Sequence, residues 1–312
     1  MIQLINIVYV SNSEFGISPL ELLNNDKDIN ISLVITQPDK KRSRNKVIPS
    51  PIKLKALELG LKVYTTYDIN RDDELELLKE VGAEFIVVVS FGQIISKRLL
   101  ETFKNKIINL HSSILPKYRG ASPINETLLN LDEIAGSSIM LIDEKMDTGD
   151  ILKTTSFEVD PSFKYEELSE KLSIIGGKDL AHVIKNYDYY FKKRKPQKSS
   201  EASYTKLIKK SDGQIDFSQK SDIIEGKFKA YSVWPQIYFN YKGMNIKIID
   251  FYFINRQAGL NGEIVKVCND GIFINCKDKT LVITKIGYPG KKSMEVSEFL
   301  KGNSIEKIII GG

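Results

Sequence analysis

Short, largely apolar runs alternate with segments of helical periodicity through the first third of the chain. Ile5–Val10, Ile31–Thr36, Lys62–Thr65 and Phe85–Ser90 read as strands bounded by polar turns, with helices over Lys53–Leu59 and Asp72–Val81. A first helix is predicted near Ser18-Pro19, with Ser18 as N-cap and Pro19 at the first helical position. This βαβ alternation predicts an α/β fold with a mostly parallel, Rossmann-like sheet. The unbroken apolar run Phe85–Ser90 predicts a central strand covered on both faces. A further strand, Lys106–Leu110, ends in the polar segment that follows it.

The pattern changes in the last third. From Gln236 onward short strands alternate with the turns Lys242-Gly243, Ala258-Gly259, Asn269-Asp270-Gly271 and Pro289-Gly290, as in a small β-barrel. A helix is expected near Ser221–Ala230, and the lone Trp234 is read as a core residue. Between the two patterns, residues 187–203 combine Pro196, several serines and five basic residues, which marks a linker. The expected organisation is a catalytic domain over 1–186, a basic linker over 187–203 and a barrel domain over 204–312.

Charge sharpens that division. The chain of 312 residues carries a net +5, but residues 1–186 sum to −4 and residues 187–312 to +9. A basic second half points to a polyanionic partner. In the first half, five of the seven residues Lys40–Lys46 are basic with no acid among them. Self-repulsion keeps such a loop extended until an anion screens it, which suits a phosphate backbone. No apolar run approaches the roughly 20 residues that span a bilayer. Nor does the amino-terminal stretch resemble a secretory signal, so the expected location is the cytoplasm, away from any membrane. Cys268 and Cys276 flank the Asn269-Asp270-Gly271 turn, where they could face each other; in that compartment they are expected as reduced thiols. With His111 and His182 the only histidines, no Cys/His zinc set can be assembled, and no metal is expected. Gly-x-Gly-x-x-Gly is missing after the first strand and no P-loop occurs, which argues against dinucleotide and triphosphate sites.

Candidate chemistry gathers between Asn109 and Asp150. Asn109 and His111, two apart on a strand, point to one face at the strand's carboxyl end, where open α/β sheets bind ligands. A second apolar strand, Ile139–Ile142, runs into a loop holding Asp143, Glu144, Asp147 and Asp150. An amide, an imidazole and a carboxylate meeting at one place provide an oxyanion donor, a general acid/base and its orienting partner. His182 lies in a helical segment with no chemical partner near it in sequence and is read as structural.

The run Asn109-Leu110-His111-Ser112-Ser113-Ile114-Leu115-Pro116-Lys117-Tyr118-Arg119-Gly120, followed by Met146-Asp147-Thr148-Gly149-Asp150, resembles the folate-dependent formyltransferases. Members of that family move a formyl group from 10-formyltetrahydrofolate onto an amine. The resemblance implies Asn109, His111 and Asp147 as the catalytic set, with Asp150 holding the loop. It implies folate contacts at Phe91, Gly92, Ile94, Ser113, Ile114, Leu115 and Pro116, with Arg119-Gly120 fixing the loop on the sheet. The segment Thr36-Gln37-Pro38-Asp39, the basic loop and Pro49-Ser50-Pro51 resemble the members that act on methionyl-initiator tRNA. There the loop enters the acceptor arm, which implies tRNA contacts at Arg44, Arg42, Lys40, Lys41 and Lys46. Lys192, Lys193, Arg194 and Lys195 of the linker are added on charge. The barrel also resembles that branch's OB-like carboxy-terminal domain, so the likeness covers nearly the whole chain, expected as a monomer.

The chain departs from the family pattern in two places: Ser112 stands where a glycine is common and is small enough to be tolerated, and the other departure lies after the first strand. Gly-Thr-Pro-x-Phe-Ala, usual after the first strand, is here Ser11-Asn12-Ser13-Glu14-Phe15-Gly16, with Phe15 as the residue expected at the aminoacyl end. Two other readings compete. A transferase for a small amine shares the site but leaves the basic second half unexplained. A non-enzymatic RNA-binding protein does not need the Asn, His and Asp set.

Overall fold

The computed structural model describes residues 4–41 and 47–310. The chain forms two compact units, the first made of Met1–Ile124, Glu133–Asp160 and Glu167–Lys206, the second of Asn125–Asp132, Pro161–Glu166 and Leu207–Gly312.

The first part of the chain contains β1 (Ile5–Ser11), α1 (Ile17–Asn24), β2 (Ile29–Thr36), β3 (Lys40–Lys41), β4 (Val47–Ile48), α2 (Pro51–Glu58) and β5 (Val63–Thr65). After them come α3 (Asp72–Glu80), β6 (Phe85–Val89), α4 (Lys97–Thr102), β7 (Ile107–His111), α5 (Pro123–Leu129), β8 (Ile134–Leu141), β9 (Ile151–Glu158), α6 (Tyr165–Lys185) and α7 (Tyr187–Lys192). Seven strands form a sheet in the order β5-β2-β1-β6-β7-β8-β9. The first five of these run parallel, and β8 pairs antiparallel with both β7 and β9, so in this sheet β8 is the strand that runs against the rest. The apolar run of β6 occupies the middle of the sheet with all five residues buried. Strand order reverses between β1 and β6, where a Rossmann-like sheet opens its crevice.

Local chemistry explains most boundaries. Ser50 caps α2, its hydroxyl accepting from the Lys53 N–H at 3.2 Å, with Pro51 at the first helical position. By contrast α1 does not begin at Ser18. A 3₁₀ turn over Glu14–Gly16 runs into it, and Gly16 is the N-cap without a side-chain bond. That turn is filled: a Cβ on Gly16 would lie 2.2 Å from Ser11 Oγ, so side-chain volume at one end of the turn excludes it at the other.

The stretch read as a linker is structured. Residues 187–192 form α7, and Lys195 exchanges backbone hydrogen bonds with Ile151 at 2.8 and 2.9 Å, extending the β9 edge. No helix among the described residues is long and apolar enough to cross a membrane.

The second unit holds α8 (Ser221–Ala230), β10 (Tyr238–Tyr241), β11 (Met244–Asn255), β12 (Ile264–Cys268), β13 (Gly271–Asn275), β14 (Lys279–Gly287), β15 (Met294–Glu295) and α9 (Val296–Phe299). Its antiparallel sheet, ordered β10-β11-β14-β13-β12 with β15 on β14, curls into an OB-like half-barrel. Register shifts around Asp250 bend β11, as bulges do. Ile246, Ile248, Ile274, Leu281 and Ile283 fill the interior. Two expectations are corrected here. Trp234 is 53% exposed, because the turn before β10 points it outward. The cysteines do not face each other: Cys268 pairs with Gly271 across the hairpin, while buried Cys276 lies beyond the end of β13, and both are free thiols.

Candidate active site

β7 brings Asn109 and His111 to the same side of the strand, as alternation requires. His111 is 6% exposed. Its Nε2 lies 2.9 Å from the Tyr118 carbonyl oxygen. A carbonyl can only accept, so Nε2 carries a proton and Nδ1 is the nitrogen available for chemistry. The Asn109 side chain is half-buried and makes no hydrogen bond to another described residue, which leaves its amide available to a ligand.

Asp147 comes from the 142–150 loop between β8 and β9. That loop starts beside the amino end of β7, where the Ile142 N–H donates to the Ile107 carbonyl at 3.0 Å, and reaches back toward His111. Asp147 Oδ2 stands 3.7 Å from His111 Nδ1 and accepts from the Gly120 N–H at 2.8 Å. The 3.7 Å separation is too long for a hydrogen bond. Orientation of the imidazole therefore falls to the Tyr118 carbonyl, and Asp147 acts on it through charge.

Two features make the loop fit. Asp147 sits at φ +55, in the left-handed region that aspartate tolerates better than most side chains. Gly149 packs so closely on β8 that a Cβ there would lie 1.9 Å from the Leu141 carbonyl oxygen. Asp150 holds the loop's exit, its carbonyl accepting from the Leu141 N–H and its carboxylate from Arg194 Nε at 2.8 Å.

The segment after β7 is pinned through its backbone. The Ser138 hydroxyl accepts from the Leu115 N–H at 3.1 Å and donates to the Ser113 carbonyl at 2.8 Å, and the Leu115–Pro116 peptide is cis. Ser113 Oγ donates to the Lys117 carbonyl, and Ser113 and Leu115 are both buried, while Ile114 and Pro116 are half-buried. Arg119, 1% exposed, donates from Nε and Nη2 to Gln197 Oε1 and from Nη1 to the Tyr204 hydroxyl. The carboxyl end of β6 turns at Ser90 and Gly92, both at positive φ. Phe91 is buried there and Ile94 is 68% exposed. Gln37 Nε2 donates to the Phe91 carbonyl at 2.6 Å, tying the base of the basic loop to this turn.

A cavity of about 450 Å³ opens among α4, the start of β7 and the start of the 142–150 loop, lined by Leu100, Phe103, Ile107, Ile142 and Glu144 among others. Glu144 belongs to the acidic loop noted in the sequence, whereas the apolar side chains of Leu100, Phe103, Ile107 and Ile142 are indistinguishable in sequence from ordinary core, and only the fold shows the space between them. Among the described residues, no group of three or more His, Cys, Asp or Glu could hold a metal ion.

The remaining expected positions separate. Lys40 and Lys41 form the short strand β3, paired with β4. Arg42, Arg44 and Lys46 lie outside the described residues. Lys192, Lys193 and Lys195 are exposed, with Lys193 Nζ 3.0 Å from the Tyr189 hydroxyl. Arg194 is also exposed, yet its charge is already engaged by Asp150 and its guanidinium stacks 4.1 Å from the Phe191 ring. Phe15 is 8% exposed, so packing takes up most of its ring.

Residues 3–184 match the Formyl transferase family and residues 207–304 match the Formyl transferase, C-terminal domain. The chain is 45% identical over 305 residues to the methionyl-tRNA formyltransferase of Finegoldia magna, covering 97% of this chain and 98% of that protein. It is 36% identical over 310 residues to the enzyme of the same name from Clostridium tetani, covering 98% and 99%. Among solved structures, the sugar 3N-formyl transferase WlaRD, crystallised with dTDP and 5-N-formyl-THF, superposes with a TM-score of 0.63 at 21% identity, covering 93% of this chain and 100% of that one. At that identity the likeness is one of fold. By its two matched domains and its full-length relatives, the chain belongs to the formyl transferase family, in the methionyl-tRNA formyltransferase branch.

Proposed function

We propose that this chain transfers the formyl group of 10-formyltetrahydrofolate to the free amino group of methionyl-initiator tRNA, with Asn109, His111 and Asp147 performing the chemistry. The observation that carries the reading is the approach of the Asp147 carboxylate to His111 Nδ1, beside an amide with no other bond, at the end of β7. The neutral amine attacks the formyl carbon, and negative charge develops on the formyl oxygen. The Asn109 amide and a protonated Nδ1 of His111 are the donors for that oxygen; losing one such donor typically costs about 3 kcal/mol in the transition state. As the intermediate collapses, the folate nitrogen takes up a proton and the amine gives one up. The imidazole, with the Asp147 carboxylate beside it, is the group suited to relay them.

The 450 Å³ cavity suits the flat pterin, with Leu100, Ile107 and Ile142 as apolar walls. Phe91, Gly92 and the Ser113–Pro116 backbone complete the folate site in this reading. Arg44 leads the contacts to the acceptor arm, supported by Arg42, Lys40, Lys41 and Lys46. Lys192, Lys193 and Lys195 add phosphate contacts. Arg194 joins them only if it leaves Asp150, and Phe15 shapes the turn facing the aminoacyl end rather than touching it. The basic second half, +9 over residues 187–312, supports a tRNA acceptor over a small amine. The chain acts in this reading as a cytoplasmic monomer without a membrane or metal. The test is incubation with labelled 10-formyltetrahydrofolate and methionyl-initiator tRNA, beside uncharged tRNA and small amines. Label should enter the charged tRNA alone; preferential labelling of a small amine would overturn the assignment.

A further inference from the structure

We propose that Gln197 is a positioning residue for the transfer reaction, holding Asp147 where its carboxylate faces His111. This rests on the role given to Asp147 above. Gln197 lies in the stretch that reads as a linker, half-buried between the exposed runs Lys192–Pro196 and Lys198–Ser200.

Its carboxamide is fully used. Oε1 accepts from Arg119 Nε at 3.0 Å and Nη2 at 2.8 Å. Nε2 donates to the Asp147 carbonyl at 3.0 Å and to the Gly149 carbonyl at 2.8 Å. The orientation is forced: a guanidinium only donates and a peptide carbonyl only accepts, so the amide fits one way round.

Each neighbour needs what Gln197 provides. Asp147 is left-handed at φ +55, a conformation that persists in a non-glycine residue only where the surroundings hold it. Two bonds to the carbonyls of residues 147 and 149 clamp that turn from one side, while the Gly120 N–H holds the Asp147 carboxylate from the other. Arg119 is 1% exposed, and no carboxylate among the described residues lies within ion-pair distance of it. Its charge is met by Gln197 Oε1 and the Tyr204 hydroxyl. A cation on Oε1 polarises the amide and strengthens the two bonds from Nε2, so Arg119 reinforces the grip on the Asp147 turn through Gln197.

Segment 203–205 completes the support. The Ser203 carbonyl accepts from the Arg119 N–H at 2.9 Å, and the Thr205 N–H donates to the Arg119 carbonyl at 2.7 Å. The residues that follow the first family domain thus act as a brace for its catalytic loop.

Gln197→Glu separates the two halves of this role. The glutamate still accepts from Arg119, but at neutral pH it turns a carboxylate oxygen toward two carbonyls instead of two donated hydrogens. Single-turnover formylation of methionyl-tRNA should slow by about 10- to 100-fold, as expected for a displaced catalytic group, with KM for the formyl donor within about twofold. The deficit should persist down to about pH 5, because the Arg119 guanidinium on its carboxylate keeps the glutamate ionised. A residue needed only for folding would lower the melting temperature and leave the single-turnover rate of the folded protein unchanged. Gln197→Met, which lacks both functions, should be slow at every pH. Crystal structures of the wild type and both variants supply the independent readout: the Asp147–His111 separation should widen in the variants. Rates within about threefold of wild type for both variants, or an unchanged separation, overturn the proposal. If the wild type itself fails to formylate methionyl-tRNA, the functional reading fails, yet the crystal structures still decide whether Gln197 sets the position of Asp147.

Discussion

Asp147→Asn isolates charge from shape at the centre of the site. The asparagine keeps the size of the side chain and can keep an oxygen on the Gly120 N–H, so the turn at φ +55 remains satisfied. Only the negative charge 3.7 Å from His111 Nδ1 is removed. At that distance, Coulomb's law gives about 4.5 kcal/mol with an effective dielectric of about 20 and about 1 kcal/mol in bulk water. His111 is 6% and Asp147 16% exposed, which places the pair nearer the first limit than the second. Stabilisation of about 3–4 kcal/mol for an imidazolium formed on the reaction path corresponds to a rate loss of roughly 10²- to 10³-fold. The assay is single-turnover transfer of labelled formyl to methionyl-tRNA, with donor binding measured separately by calorimetry. Donor affinity should stay within about threefold, because the walls of the cavity proposed for the pterin are untouched. A rate within about threefold of wild type would show that the carboxylate does not act on the imidazole, and the electrostatic reasoning would fail.

Other outcomes follow from the same geometry. Gly16→Ala should destabilise by about 2 kcal/mol in denaturant unfolding, because its Cβ meets Ser11 Oγ at 2.2 Å. The pair Ser11→Gly and Gly16→Ala together should recover most of that stability, and strict additivity would refute the volume exchange. Replacing Lys40 and Lys41 with glutamine should lower the slope of log affinity for tRNA against log salt by up to roughly one for each phosphate they neutralise, and an unchanged slope would exclude them from the interface. The Ser218 hydroxyl and N–H, the latter 2.8 Å from Oδ1, hold the Asp216 carboxyl below the ordinary carboxylate range. A depressed group stabilises the fold above its unfolded pKa and loses that contribution as pH falls through its folded pKa. Asp216→Asn should therefore lower the melting temperature at neutral pH, with the gap from wild type closing below about pH 4.

The parts of the fold that could be read in advance are those where one local rule acts alone. The apolar run of β6, buried at all five positions, announced a central strand. Ser50-Pro51 announced the start of α2. Failures came where a distant contact overrode the local signal. Ser18-Pro19 has the chemistry of a helix start, yet the tight fit of Gly16 against Ser11 begins the helix earlier. Pro196 and the lysines around it have linker composition, yet backbone bonds between Lys195 and Ile151 fix that stretch to the β9 edge. Trp234 reads as core by its size alone and stands half-exposed because the turn around it faces outward.

The candidate site divides along the same line. Asn109 and His111 were legible because strand periodicity alone brings them to one face. The imidazole's real anchor was not, since the Tyr118 carbonyl is a backbone group and any residue at 118 with the same φ of +61 could supply it. Gln197 escaped for a related reason: a lone glutamine in a polar stretch carries no periodicity and no motif spacing. Its importance lies in who its partners are, a buried guanidinium from one segment and a left-handed turn from another, 78 and 50 positions away in the chain. Side chains that perform chemistry are constrained in type and stand out. Those that hold them need only the right hydrogen-bonding valence at the right place, so a family motif ending at Asp150 leaves out the residue that keeps Asp147 turned toward His111.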